Sequence, residues 1–252
     1  MHYRTLIYYM MLMIPTFAAD GYVEKSFTGD TGTLPYRMLS PAEAKPDTKY
    51  PLVIFLHGAG ERGDNNSRQT HHGGSQFLDK DNREKYPAFV VFPQCPNGKR
   101  WVEVNWGEPI PHKQPEQPSE PMAIVMEMIP SLMESLPVDP SRVYLMGISM
   151  GGFGTWDLAA RQPGWFAAVV PVCGGADNST APLLVKAPIW AFHGDKDNVI
   201  KVERSRTMVE ALKQAGGTPK YTEYPGVAHN SWFKAFAEPE LLPWLFSQKR
   251  AE

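Results

Sequence analysis

Five apolar runs of four to six residues, none long enough for a helix, limit this 252-residue chain to a small set of architectures. They are Leu52–Leu56 (LVIFL), Phe89–Phe92 (FVVF), Val143–Met146 (VYLM), Ala167–Val172 (AAVVPV) and Ile189–Phe192 (IWAF), with Tyr221–Tyr224 a weaker sixth. Their β-branched and aromatic content, without polar alternation, is how strands buried on both faces read. Helical periodicity falls between them. Met122–Leu136 carries it with an interruption at Pro130, Phe153–Ala160 follows a glycine cluster, and Val202–Ala215 stops at Gly216-Gly217. Strand and helix in alternation imply right-handed crossovers and a mostly parallel central sheet flanked by helices, an α/β fold.

Composition narrows the partners. The chain is 42% hydrophobic and 21% charged, which suits one packed core and excludes a disordered segment. Its 25 basic and 27 acidic residues nearly cancel, so no nucleic acid partner is expected. The 24 prolines point to long shaped loops on a folded scaffold, Glu108–Pro121 being one such extended surface loop.

The N-terminus reads MHYRTLIYYMMLMIPTFAAD, with Arg4 ahead of an apolar stretch and small residues near Ala18. This is the pattern of a signal peptide over residues 1–19, cut after Ala18 or Ala19, and His2 leaves with it. The apolar stretch is short of the roughly 20 residues a spanning helix needs, so no stable membrane insertion is expected after cleavage. The expected mature protein is a single domain over residues 20–252, secreted or periplasmic.

The two cysteines, Cys95 and Cys173, close strands expected to lie three places apart. That is about 14 Å, beyond the 7 Å a disulfide tolerates. Both are expected to be free thiols. Neither has ligands at metal-binding spacing, so no metal and no cofactor is expected.

In such a sheet, ligands bind at the carboxyl ends of the strands. The residues following the apolar runs therefore converge on one edge: His57-Gly58-Ala59-Gly60, Gly147-Ile148-Ser149-Met150-Gly151-Gly152, His193-Gly194-Asp195-Lys196-Asp197 and Pro225-Gly226-Val227-Ala228-His229. The second is G-x-S-x-G between a strand and a helix, a turn that lifts a serine hydroxyl above the sheet. A serine hydroxyl needs a base, and His229 after the last strand is the best placed. His57 and His193 precede glycines and read as turn-shaping, while His71, His72 and His112 read as loop residues. The histidine needs a carboxylate. Asp195 and Asp197 compete for this, and Asp197, deeper in the loop, is preferred, with Asp195 holding the loop by local bonds. An oxyanion would meet the Met150 N–H and one from the loop after LVIFL, either Ala59 or, failing that, Gly60.

The segments LHGAGERGDN (Leu56–Asn65), VYLMGISMGGFGTWDLA (Val143–Ala159), FAAVVPVCGG (Phe166–Gly175), HGDKDNVI (His193–Ile200) and PGVAHNSW (Pro225–Trp232) carry a resemblance to the α/β-hydrolase superfamily. More narrowly the chain resembles secreted phospholipase/carboxylesterase-type and polyhydroxybutyrate-depolymerase/feruloyl-esterase-like enzymes, some called predicted peptidases. The resemblance implies an α/β-hydrolase fold, a serine esterase activity, Ser149, Asp197 and His229 as nucleophile, acid and base, and Ala59 and Met150 at the oxyanion hole.

Substrate signals are sparser. Trp101 and Trp106 follow the FVVF strand, where they would form an aromatic wall for a hydroxycinnamoyl ring or a sugar face; the competing reading is that they pack the loop. Trp232 is expected to pack behind His229, and Glu61 and Arg62 to pair. The function expected is cleavage of carboxylic esters through an acyl-enzyme, on a small ester or an ester-decorated polysaccharide, with feruloyl or acetyl groups of plant cell walls as the physiological case. A serine peptidase or lysophospholipase on the same triad is the alternative, and a noncatalytic carbohydrate-binding module the second.

Overall fold

The computed structural model describes residues 21–108 and 111–250; the expected signal segment lies outside them. Eight strands form one sheet: β1 (Val23–Thr28), β2 (Thr33–Leu39), β3 (Tyr50–Leu56), β4 (Phe89–Pro93), β5 (Val138–Ile148), β6 (Ala168–Val172), β7 (Trp190–Gly194) and β8 (Lys220–Tyr224). Their order is β1-β2-β4-β3-β5-β6-β7-β8. β1 and β2 pair antiparallel with each other, as do β2 and β4; every pairing from β4 to β8 is parallel. The helices are α1 (Gly74–Leu78), α2 (Lys80–Lys85), α3 (Glu120–Ser135), α4 (Met150–Arg161), α5 (Ala181–Leu184), α6 (Glu203–Gln214), α7 (Trp232–Phe236) and α8 (Leu241–Ser247). The α/β expectation holds.

The unbroken apolar runs follow from two cores. Leu52, Ile54 and Leu56 of β3 face one, with α3, α4 and α6, while Val53 and Phe55 face the other, with α7 and α8. Side chains alternate across a strand, so a strand covered on both faces has no polar positions. β1 (VEKSFT) escaped the pattern because it is almost wholly exposed, and β2 (TLPYRML) because its buried positions alternate with half-buried Pro35 and Arg37. Helix α3 also differs from expectation, continuing through Pro130 to Ser135. The proline lies on the exposed face, where the missing N–H costs one bond without burying the orphaned carbonyl.

Cys95 and Cys173 are buried free thiols on the carboxyl ends of β4 and β6, with β3 and β5 between those strands. The segment before α3 is irregular but tied down. Arg161, bonded to Asp157 at 2.7 Å, also donates to the carbonyls of Pro115 (2.6 Å), Glu116 (3.2 Å) and Gln117 (3.3 Å).

Helix α4 approaches β3 backbone to backbone. A Cβ on Gly151 would overlap the Leu56 carbonyl oxygen and lie 2.8 Å from that of His57; neither can move without breaking the sheet. Gly151→Ala is therefore expected to destabilise the fold by about 3 kcal/mol or more. Gly60→Ala, with nothing within 4 Å of the added carbon, should stay within about 0.5 kcal/mol of wild type. Urea unfolding midpoints of the two variants test the contrast.

Candidate active site

β5 delivers Ser149 at its end with φ 53° and ψ −117°, a conformation few residues other than glycine adopt. The turn is held on both sides: Ser149 N–H donates to Val172 O at 2.9 Å, and Ser149 O accepts from Phe153 N–H at 3.1 Å to start α4. Gly147 must lack a side chain because a Cβ there would lie 2.5 Å from Thr155 Oγ1 and overlap the Gly151 carbonyl. Met150 opens α4, so its N–H has no carbonyl of its own helix to bond and carries the positive end of the helix dipole.

Three side chains then form a line. Ser149 Oγ is 2.9 Å from His229 Nε2, and His229 Nδ1 is 2.7 Å from Asp197 Oδ2. Asp195 points elsewhere, accepting the Gly226 N–H at 2.6 Å and so fixing the turn that carries His229. Asp197 is fully covered and well satisfied: Oδ1 accepts the N–H groups of Val199 (2.8 Å) and Ile200 (2.9 Å). Burial by itself would raise its carboxyl, but bonds from His193, His229 and Ile200 outweigh that and hold it well below the usual carboxylate range. The carboxylate is therefore the state of Asp197 at neutral pH.

His193 does more than shape its turn. Fully buried, it has Nε2 2.9 Å from Ile200 O and 3.3 Å from Asp197 Oδ2, with Nδ1 2.7 Å from Ser205 Oγ. Two acceptors face Nε2, so that nitrogen carries hydrogen. Asp197 Oδ2 thus meets two imidazoles, one reaching Ser149 and one sealed in the core.

His57 plays a comparable role on the other side of the nucleophile. Its Nε2 accepts the Cys95 N–H at 2.9 Å, which leaves hydrogen on Nδ1 to donate to Gly58 O at 2.6 Å. With that carbonyl turned inward, the trans peptide directs the Ala59 N–H the opposite way. Arg62 Nε binds Ala59 O at 2.9 Å, and the Trp101 indole N–H binds His57 O at 3.0 Å. Burial lowers the His57 pKa to about 4, so the ring stays neutral and the pin holds at neutral pH.

Two expectations need correction, for Trp101 and for the Glu61–Arg62 pair, while Trp106 keeps part of its surface open. Trp101 is 0% exposed, so it cannot be a wall facing substrate; it props the oxyanion-side loop from below. Trp106 is half-buried, with Arg100 4.6 Å above its ring and Phe153 6.5 Å away, so its ring contacts lie within the loop and α4. Glu61 does not pair with Arg62, which bonds the Ala59 and Lys99 carbonyls; Glu61 Oε1 lies 3.7 Å from His72 Nε2. Burial raises the Glu61 carboxyl, with His71 and the Gly58 and Glu61 N–H groups acting against it. Trp232 stands edge-on to His229, ring centres 5.4 Å apart, and His72 is 5.1 Å from Trp232. The aromatic surface beside the nucleophile thus comes from residues after β8 and from the long loop after β3. Only the position of Trp232, three after the histidine, hinted at it.

Cys173, Asp197 and His229 bring ligand atoms within 4.8 Å of one another. The set suits a metal poorly. Burial beside Asp197 pushes the Cys173 thiol far up, and the Asp197 and His229 atoms already share a hydrogen bond.

A mostly parallel sheet with a serine turn, a following acid and a last-strand histidine defines an α/β-hydrolase. The chain belongs to the dienelactone hydrolase family, whose model matches residues 113–241. Poly(3-hydroxyalkanoate) depolymerase C of Paucimonas lemoignei is 33% identical over 128 residues, 50% of this chain and 28% of that protein. The bifunctional acetylxylan esterase/xylanase XynS20E of Neocallimastix patriciarum is 25% identical over 74% of this chain and 25% of its own length. A crystal structure of a thermostable esterase superposes with a TM-score of 0.85 at 36% identity, covering 92% of this chain and 64% of that one. The chain thus spans about a quarter of each of these curated relatives.

Two positioning variants follow. His57→Phe frees the Gly58–Ala59 peptide and should lower kcat about 10–100-fold in an ester hydrolysis assay, with KM little changed. His57 also ties stability to pH: its folded pKa is below the unfolded value, so its contribution is complete above about pH 6.5 and falls by roughly 3 kcal/mol as pH drops to 4. Denaturant titrations at several pH values should show this slope in wild type and its loss in His57→Phe. His193→Leu removes a donor from Asp197, leaving a carboxylate that holds the His229 imidazolium more tightly. The acid limb of the kcat/KM profile should move to higher pH, with kcat down about tenfold.

Proposed function

We propose that the protein is a serine carboxylesterase, exported from the cytoplasm, that removes acyl groups from a polysaccharide or a small ester. The observation that carries the reading is the relay Ser149 Oγ–His229 Nε2 at 2.9 Å and His229 Nδ1–Asp197 Oδ2 at 2.7 Å. Asp197 holds the proton on Nδ1, which leaves Nε2 as the base. Ser149 Oγ attacks the ester carbonyl carbon as its proton passes to His229. The carbonyl electron pair moves to oxygen, where the N–H groups of Met150 and Ala59 receive it. Collapse breaks the bond to the alcohol, which departs with the proton from Nε2. Water then attacks the acyl-enzyme by the same route and regenerates Ser149.

Feruloyl and acetyl esters of plant cell walls remain the physiological substrates we favour. The acetylxylan esterase relative and the signal-like residues 1–19 support this. Among the described residues no helix is long and apolar enough to cross a membrane, in keeping with release after cleavage.

Ser149→Ala should lose at least ~10⁴-fold in kcat on p-nitrophenyl acetate and should no longer be labelled by a fluorophosphonate that modifies the wild type. A methyl ferulate preference over a long-chain p-nitrophenyl ester would support the cell-wall assignment, and the reverse preference would point to a lipid. Undiminished turnover in Ser149→Ala would overturn the mechanism.

A further inference from the structure

Around one side of Ser149 runs a closed rim of side chains that the relay does not use. His229 borders Trp232 at 5.4 Å between ring centres, Trp232 borders His72 at 5.1 Å, and His72 borders Phe233 at 5.6 Å. His72 Nε2 faces Glu61 Oε1 at 3.7 Å. Glu61 Oε2 lies 3.0 Å from the point a Cβ on Gly58 would occupy, and Ser149 Cβ lies 3.7 Å from the same point, closing the circuit.

We propose that this rim of Glu61, His72, Trp232 and Phe233 is the subsite for the alcohol half of the ester, and that the alcohol it takes is a neutral polyhydroxylated ring, a sugar. The inference rests on the esterase reading. His229 must hand its proton to the departing oxygen, so the alcohol sits against His229 and against the side chains that border it. Trp232 is that neighbour, and Phe233 stands beside Trp232, ring centres 5.8 Å apart.

Two features select the chemistry. Phe233 is 58% exposed, an unusual position for a large aromatic ring and a flat surface for the C–H face of a sugar. Glu61 and His72 stand 3.7 Å apart, too far for a direct bond and close enough for one hydroxyl to donate to the carboxylate while accepting from the imidazole. A long alkyl alcohol would shut water off from the Glu61–His72 gap while offering neither group a hydrogen bond. An anionic alcohol would meet it as a like charge. A neutral polyol satisfies the polar pair and the aromatic faces together.

The test holds the acyl group constant and varies the alcohol: kcat/KM for ethyl acetate and for the acetate ester of methyl β-xyloside. Wild type should prefer the xyloside ester by tenfold or more. Phe233→Ala, at a mostly exposed position, and His72→Gln should each bring that preference down about tenfold, toward parity. A wild type with no preference, or variants that keep it, would overturn the subsite while leaving the esterase reading in place. Failure to hydrolyse either ester would take down the esterase reading and this inference with it.

Discussion

Helix α4 meets strand β3 backbone to backbone at Gly151, and the position of Ser149 follows from that contact. Gly151 lies over the carbonyls of Leu56 and His57, Gly152 over the backbone of Gly174, and Gly154 against Trp101 and Leu56. A helix one methyl group farther out would pull Ser149 and the start of α4 away from the Leu56 and His57 carbonyls that close the end of β3. The same closeness permits the unfavourable backbone of Ser149, since the buried packing of α4 on β3, β5 and β6 offsets its local strain. Trp101 belongs to this joint. Its indole N–H satisfies the His57 carbonyl at the crowded point.

Two buried polar groups flank the nucleophile, and the protein treats them in opposite ways. Asp197 is kept charged by surrounding it with donors: Val199, Ile200, His193 and His229. His57 is kept neutral, one nitrogen accepting and the other donating to backbone. Both outcomes follow from one rule, that a buried group adopts the state its fixed neighbours can satisfy. The charged group orients the base, and the neutral one orients a peptide. Each holds a neighbour of Ser149 in place through a single bond, Asp197 the His229 ring and His57 the Gly58 carbonyl.

Much of this was legible in the chain. The runs LVIFL, FVVF, VYLM and IWAF marked parallel strands because burial on both faces removes polar positions, and their trailing residues located the edge that holds Ser149, Asp197 and His229. Strand β1 was not legible, since an exposed antiparallel edge such as VEKSFT has no apolar pattern, and in β2 Pro35 and Arg37 interrupt the apolar run. Trp101 was misread because position along a loop does not say which way a ring turns, and a loop crossing a packed helix can bury its tryptophan completely. His193 looked like a turn residue because its partners, Ile200 and Ser205, come from the next loop and helix. The rim of Glu61, His72 and Trp232 joins positions more than 150 residues apart, a distance no local pattern spans.

The division of labour between these parts explains why fold and chemistry can persist while substrates change. Ser149, Asp197, His193 and His57 are all buried, bonded at strand ends, and constrained by neighbours that belong to the core. An alteration at any of them disturbs packing and reaction together. His72 and Phe233 lie on the loop after β3 and at the start of α7, where exposure is greater and fewer partners depend on them. A substitution there leaves the bonds among Ser149, His229 and Asp197 in place, and a shared fold does not by itself name a substrate. Glu61 joins the two regimes. It sits two residues past Ala59, and its carboxyl comes within 3.7 Å of His72 Nε2, so one side chain ties the Gly58–Ala59 turn to the stretch that carries His72.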